Sequence, residues 1–219
     1  MNVKKTCVIF DMDGCLVDTE RAYIRAWGMA FKAKNMPISD EKLLSFAGKG
    51  SVYINAEIAR YTHSEKMAKE LRACREDFFW KFLDKGEVAL MPYAREILSY
   101  AKDKNLAIGI ASSTVTSKAS RILQYFDLLG YFNFKVFGDM IANLKPAPDI
   151  YNMAVMLAGR PPAECIAFED SAAGVMSADA CGIDVVYVPG VGPGIPDEAI
   201  IYKRIPSLRE GIELLAGVI

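Results

Sequence analysis

Apolar residues fall into two kinds of run along this chain, and the change from one to the other divides it. Short, dense apolar stretches read as strands: Val8–Phe10, of the kind covered on both faces in a parallel sheet, Leu106–Ala111, also buried, and Phe134–Phe137, Cys165–Phe168 and Asp184–Val188. Between the later strands the spacing turns helical. Pro92 suits a first helical turn, with Ile97, Leu98 and Ala101 on the apolar face. Val115, Ala119, Ile122, Leu123 and Phe126 mark a second helix. Lys145-Pro146 is expected to open a third, with Ile150, Met153 and Leu157 facing inward. Ser171 to Cys181 reads as a fourth, stopped by Gly182. The capping box Ser207-x-x-Glu210 starts the last one, and Val191 to Pro196, rich in glycine and proline, reads as a surface loop.

Residues 18 to 85 carry no strand signal. Asp18 or Thr19 caps a helix bearing Tyr23, Trp27, Ala30 and Phe31. Pro37 ends that segment, Ser39 caps another, and Gly48-Lys49-Gly50 breaks it. A further helix is expected from Val52 to Tyr61, and Ser64 starts one with Met67, Leu71, Cys74, Phe78 and Phe82 on one face, ended by Gly86. Most of the run Phe78-Phe79-Trp80 with Phe82 is expected in the core of this bundle, the rest at a dimer surface or a substrate pocket. Alternation of strand and helix elsewhere predicts an α/β fold, a doubly wound parallel sheet. Residues 1–16 and 87–219 form the catalytic core of this reading, and 17–86 form an all-helical cap inserted after the first strand.

Composition narrows the choices. A net charge of −1 gives no electrostatic case for nucleic acid or an anionic membrane as partner. No apolar run approaches the ~20 residues of a membrane-spanning helix, and no signal-peptide core follows the basic N-terminus. The five cysteines are odd in number and scattered, which argues against a disulfide framework or a zinc site and suits a reducing, cytoplasmic setting. Cys15 reads as packing like the others, and His63, the single histidine, reads as a surface residue.

Three of the strands end in polar residues: Asp11 and Asp13, Ser112 and Ser113, Glu169 and Asp170. In a doubly wound sheet the ligand lies beyond the carboxyl ends of the strands, so these residues converge. Like charges ~4 Å apart repel by roughly 4 kcal/mol at an effective dielectric near 20. Either one carboxyl is protonated or a cation sits among them. With no histidine or cysteine partner, the cluster suits a hard cation bound by oxygen, and Mg²⁺ is the natural choice.

The stretch Asp11-x-Asp13-Gly14-x-Leu16-x-Asp18-Thr19, followed by Lys145-Pro146-Ala147-Pro148-Asp149 and then Glu169-Asp170-Ser171-Ala172-Ala173-Gly174, resembles the three motifs of the haloacid dehalogenase superfamily. Their wording is similar to the subfamily of sugar-phosphate phosphatases and phosphoglucomutase-like enzymes with a helical cap. The resemblance implies that Asp11 is a nucleophile forming an aspartyl-phosphate and that Asp13 is general acid to the leaving alcohol, then base to water. It implies Mg²⁺ held by Asp11, the backbone carbonyl of Asp13 and Asp170, with Glu169 joining directly or through water. Ser112 and Lys145 resemble the phosphate-binding residues, with Ser113 a weaker candidate. Each residue also has a plainer reading: Asp170 as a helix N-cap, Lys145 as a solvated charge, Ser112 as a strand-end cap.

Family members that cleave carbon–halogen or carbon–phosphorus bonds lack the second aspartate, so Asp13 favours transfer from an alcohol. The mutases carry a histidine where this chain has Tyr23, and an arginine after the glycine turn where this chain has Gly48-Lys49-Gly50-Ser51-Val52. Hydrolysis is therefore favoured over mutase activity, and a binding module with an inactive site is the third reading. Thr19, Tyr23 and Lys49 are the candidate substrate contacts from the cap, although Lys49 is equally readable as an exposed loop lysine. The expected partner is a small phosphorylated metabolite, a sugar phosphate by default, and the expected state is a monomer or weak homodimer.

Overall fold

The computed structural model describes residues 3–192, 194–196 and 200–219. In chain order its elements are β1 (Cys7–Phe10), α1 (Thr19–Ala33), α2 (Asp40–Leu44), α3 (Ser51–Thr62), α4 (Glu65–Asp84), α5 (Ala94–Asp103), β2 (Ala107–Ser112), α6 (Thr116–Tyr125), β3 (Phe134–Phe137), α7 (Asp149–Ala158), β4 (Cys165–Glu169), α8 (Ala172–Asp179), β5 (Asp184–Tyr187), β6 (Lys203–Arg204) and α9 (Leu208–Val218). The chain divides into two compact units, one of Met1–Val17, Leu90–Gly190 and Gly194–Ile219, the other of Asp18–Ala89 and Val191–Pro193.

The first unit holds a parallel sheet of order β3-β2-β1-β4-β5-β6. This is the doubly wound arrangement the strand–helix alternation predicts. All four residues of β1 are buried, as a central strand covered on both faces requires. From β1 the chain builds outward through β2 to β3, then returns to lay β4 against the other side of β1. The order reverses between β1 and β4, and the carboxyl ends of those two strands carry Asp11, Glu169 and Asp170. One apolar cluster gathers Ile9, Val136, Tyr151, Ala154, Val175, Val185 and Ile195 among others.

Several local expectations are corrected here. Lys145 does not open a helix, because residues that precede proline are held out of the α region. Lys145 and Ala147 both precede one, so α7 begins only at Asp149, with Pro148 at its N-cap. The buried face of α7 is Ile150, Tyr151 and Ala154, and Leu157 is exposed. α5 begins two residues after Pro92, since Tyr93 takes a left-handed conformation and serves as N-cap. Val115 is the exposed N-cap of α6, not part of its buried face. α8 ends at Asp179, with Gly182 left-handed just beyond. Ser207 accepts from Arg209 N and donates its hydroxyl to Glu210, a side-chain bond in place of the reciprocal backbone bond of a capping box. Pro193 lies outside the described residues, and Ile195 of the expected surface loop is buried in the core. β6 was invisible to an apolar pattern: it is two exposed basic residues at the sheet edge, a composition that discourages further pairing.

The second unit packs Trp27, Ala30 and Phe31 of α1 with Leu43, Phe46, Ile54, Ile58, Ala68 and Leu71. Asp18 occupies the N-cap of α1 without capping through its side chain, whereas Ser39 and Ser64 cap α2 and α4 as their positions predict. The buried face of α4 is Ala68, Leu71, Arg75, Phe79, Phe82 and Leu83, one position around from the expected stripe. The cause is Arg75, whose guanidinium stacks over Tyr23 at 4.4 Å and Trp27 at 5.1 Å and so packs like an aromatic. Of the aromatic run, Phe79 and Phe82 are buried, while Phe78 and Trp80 are partly exposed. No helix among the described residues is long and apolar enough to cross a membrane.

Candidate active site

After Phe10 the backbone leaves the sheet in a tight turn. Asp11 N still donates to Phe168 O, the Met12 carbonyl accepts from both Leu16 N and Val17 N, and Gly14 closes the loop by donating to Val17 O. Gly14 has φ +86°, a conformation that a side chain would strain. The turn leaves Asp11 buried and Asp13 partly exposed at the carboxyl end of β1. β4 delivers Glu169, which is fully buried, and Asp170 follows. Asp170 does not cap α8; that role belongs to Ser171, whose hydroxyl accepts from Gly174 N.

Asp11, Glu169 and Asp170 each offer a carboxylate oxygen, and the three lie within 4.8 Å of one another. Lys145, in the turn ahead of α7, reaches them with a side chain only 6% exposed. Its ammonium donates to Asp11 Oδ1 at 2.6 Å, to Glu169 Oε1 at 2.6 Å and to the Ala111 carbonyl at 2.8 Å. An ammonium has three N–H groups, and all three are used. The plainer reading of Lys145 as a solvated charge is therefore excluded by geometry. Any phosphate it contacts must take the place of one of these acceptors.

Ser112, the last residue of β2, is buried and donates to Asp13 Oδ2 at 3.1 Å. Thr114 Oγ1 donates to the same oxygen at 2.8 Å, and Thr114 N binds the Ser112 hydroxyl. Thr114, two residues past the end of β2, has no counterpart among the residues read from the sequence. The signal was present in the unbroken hydroxyl run Ser112-Ser113-Thr114. Ser113 is partly buried, and its carbonyl packs against Gly138, where an added Cβ would come within 2.2 Å of it. Tyr151 was missed as well. Its hydroxyl donates to Glu169 Oε1 at 2.6 Å from a fully buried position on α7. Thr19, Tyr23 and Lys49 belong to the helical unit. There Thr19 is buried, Tyr23 lies 4.5 Å from Phe79, and exposed Lys49 sits 5.6 Å over Tyr53.

The electrostatics show what the cluster lacks. Burial first, then Glu169 and Asp13, raise the Asp11 carboxyl to about 8 against the opposing pull of Lys145. Burial pulls Lys145 down, but Asp11 and Glu169 together hold it above its usual value. Burial likewise raises the Cys15 thiol well above its ordinary range, with Asp11, Asp170 and Glu169 adding to it, so Cys15 is a neutral packing group. Glu169 Oε2 is buried with no hydrogen-bond partner. A buried carboxylate oxygen left unpaired costs at least ~1–3 kcal/mol. An orphaned oxygen within a group of three buried carboxylates fits a divalent cation held by oxygen.

A stability test follows from Asp11. The folded protein keeps a proton on Asp11 up to about pH 8, whereas the unfolded chain releases it near ~4. The stabilising contribution of that proton is complete below pH ~4 and is lost as pH rises toward 8. In metal-free buffer, Asp11→Asn is expected to gain stability over the wild type progressively across that interval. Thermal unfolding of both proteins in chelator at several pH values checks this, and a pH-independent difference would contradict it.

The family profile described as haloacid dehalogenase-like hydrolase matches residues 5–182. Protein CbbY of Rhodobacter capsulatus is 31% identical over 210 residues, which are 92% of each chain. The phosphorylated carbohydrates phosphatase of Thermotoga maritima is 31% identical over 184 residues, covering 82% of this chain and 83% of the relative. Beta-phosphoglucomutase of Bacillus subtilis is 29% identical over 207 residues, covering 86% and 84%. Among solved structures, CbbY of Rhodobacter sphaeroides in complex with phosphate matches with a TM-score of 0.80 at 25% identity, over 98% of this chain and 99% of that one.

Proposed function

The chain belongs to the haloacid dehalogenase-like hydrolases, and from that premise we propose that it hydrolyses a small phosphomonoester, a sugar phosphate by default, through an aspartyl-phosphate on Asp11. The observation that carries this reading is the convergence of Asp11, Glu169, Asp170 and Lys145 at one point, with Asp13 held beside it by two hydroxyls. Asp11, Asp170 and Glu169, with the backbone carbonyl of Asp13, would hold Mg²⁺. When bound, the cation supplies positive charge that offsets the phosphoryl oxygens as they meet an anionic nucleophile.

The residues then divide the work. Asp11 attacks phosphorus in line; the bond to the substrate oxygen breaks, and Asp13 gives its proton to the departing alcohol. Water next attacks the aspartyl-phosphate while Asp13 takes back a proton, which frees phosphate and restores Asp11. Lys145 keeps Asp11 oriented and, on exchanging one acceptor, contributes a donor to the phosphate. Ser112 and Ser113 are the further phosphate contacts of this reading, and Ser112 must rotate from Asp13 to serve.

The helical unit favours hydrolysis over isomerisation. Where the family's mutases carry a histidine, Tyr23 packs against Phe79 and under the Arg75 guanidinium, and a phenol offers no imidazole chemistry. The name of the Thermotoga relative supports a phosphorylated sugar as substrate class. Thr19, Tyr23 and Lys49 are proposed as contacts to its non-reacting part.

The test is phosphate release from a panel of sugar phosphates and other phosphomonoesters, with and without Mg²⁺. Beta-glucose 1-phosphate with a trace of the bisphosphate runs alongside and is assayed for glucose 6-phosphate. Mg²⁺-dependent release is expected. Isomerisation without net release would overturn the hydrolase reading in favour of a mutase.

A further inference from the structure

Tyr151 is a buried group that the reaction steps above do not use. It lies on the face of α7 that otherwise carries Ile150 and Ala154, and it is among the largest fully buried side chains. A phenylalanine would fill the same volume, so packing alone does not account for the hydroxyl. Burying a hydroxyl costs roughly 1–3 kcal/mol unless it is bonded. Its partner is Glu169 Oε1, at 2.6 Å. That oxygen also accepts from Lys145, whose ammonium sits 5.2 Å over the Tyr151 ring. The two oxygens of one carboxylate are therefore unequal: Oε1 has two strong donors, and Oε2 has none.

A carboxylate held at one oxygen cannot turn about its last bond. Lys145 cannot perform that duty alone, since its ammonium is shared with Asp11 and Ala111 and moves if one acceptor is exchanged for phosphate. Among the described residues Glu169 is the one acceptor of the Tyr151 hydroxyl, which therefore stays with it. We propose that Tyr151 is a positioning residue that locks Glu169 so that Oε2 is the oxygen left for a divalent cation. This rests on the reading that Asp11, Glu169 and Asp170 hold that cation.

The lock has two consequences. Partners that orient a metal-binding side chain are typically worth 10–100-fold in affinity. A carboxylate with one oxygen engaged also binds through a single oxygen, which suits octahedral Mg²⁺, whereas a free one can close on a larger ion through both, as Ca²⁺ prefers. Tyr151→Phe is expected to weaken Mg²⁺ binding about 10–100-fold, measured by titration calorimetry without substrate, and to lower the ratio of Mg²⁺ to Ca²⁺ affinity. A change confined to packing would not move that ratio.

Asp170→Asn is titrated in parallel as the check on the underlying reading. If it binds Mg²⁺ like the wild type, the metal centre itself is misassigned. If it loses binding while Tyr151→Phe keeps wild-type affinity and selectivity, the positioning role is overturned. Glu169→Gln supplies a second, independent comparison. In the Glu169→Gln background, Tyr151→Phe is expected to cost no further Mg²⁺ affinity, because its effect passes through that carboxylate. An equal loss in both backgrounds would overturn the role as well.

Discussion

Asp11→Asn is expected to leave a folded protein whose phosphate release is down by about 10⁴–10⁶-fold, the scale on which removal of a nucleophile acts in enzymes with covalent intermediates. The amide keeps the volume of the carboxylate but not the electron pair that attacks phosphorus. It also alters one of the two carboxyl groups that accept from Lys145. Because Glu169 and Ala111 remain as acceptors for that ammonium, the variant should stay structured. Substrate binding should survive better than turnover, so the loss belongs in kcat. Phosphate release under saturating substrate, with mass analysis to exclude deamidation back to aspartate, checks the result. Activity near that of the wild type would mean that another group attacks phosphorus.

The second large effect is expected at a residue that itself carries no charge. Gly174, in the first turn of α8, packs directly against the Glu169 carboxylate. An added Cβ would lie 1.9 Å from Oε2, 2.1 Å from Cδ and 2.3 Å from Oε1. The carboxylate cannot give way, since Lys145 and Tyr151 grip its other side. Gly174→Ala is therefore expected to cost ~1–3 kcal/mol by overpacking and to displace the one carboxylate that both donors address. Metal affinity should fall at least about tenfold and phosphate release with it. Gly217→Ala supplies the contrast, since a Cβ there meets nothing within 4 Å inside helix α9. That change should be neutral or stabilise by up to about 1 kcal/mol. Urea unfolding of the two variants, with phosphate release on each, separates the cases. Equal behaviour of the two would show that the Glu169 carboxylate is not confined as described.

Much of this was legible before any coordinates. Short, dense apolar runs located five of the strands, because a strand covered on both faces is apolar at nearly every position. Ser39, Ser64 and Ser171 marked helix starts, because capping is settled within three residues of sequence. The acids and hydroxyls at the strand ends followed from the same pattern, since in a parallel sheet every strand delivers its last residues to one edge.

Tertiary structure decided the rest, and in each case the reason is a partner distant in sequence. The buried stripe of α4 turned on Arg75, a charged residue that no hydrophobic pattern counts, because the rings that receive it belong to α1. The helical spacing Ile150, Met153, Leu157 passes over Tyr151, whose hydroxyl gains a role only where it meets Glu169, eighteen residues on. Gly174 read as part of a motif, and only the packing of β4 against α8 shows that a carboxylate occupies the space of its missing Cβ. The chain's order of residues determined which groups arrive at the carboxyl edge of the sheet. Which oxygen each carboxylate has left for a ligand was decided by donors that only the folded chain brings within hydrogen-bonding distance.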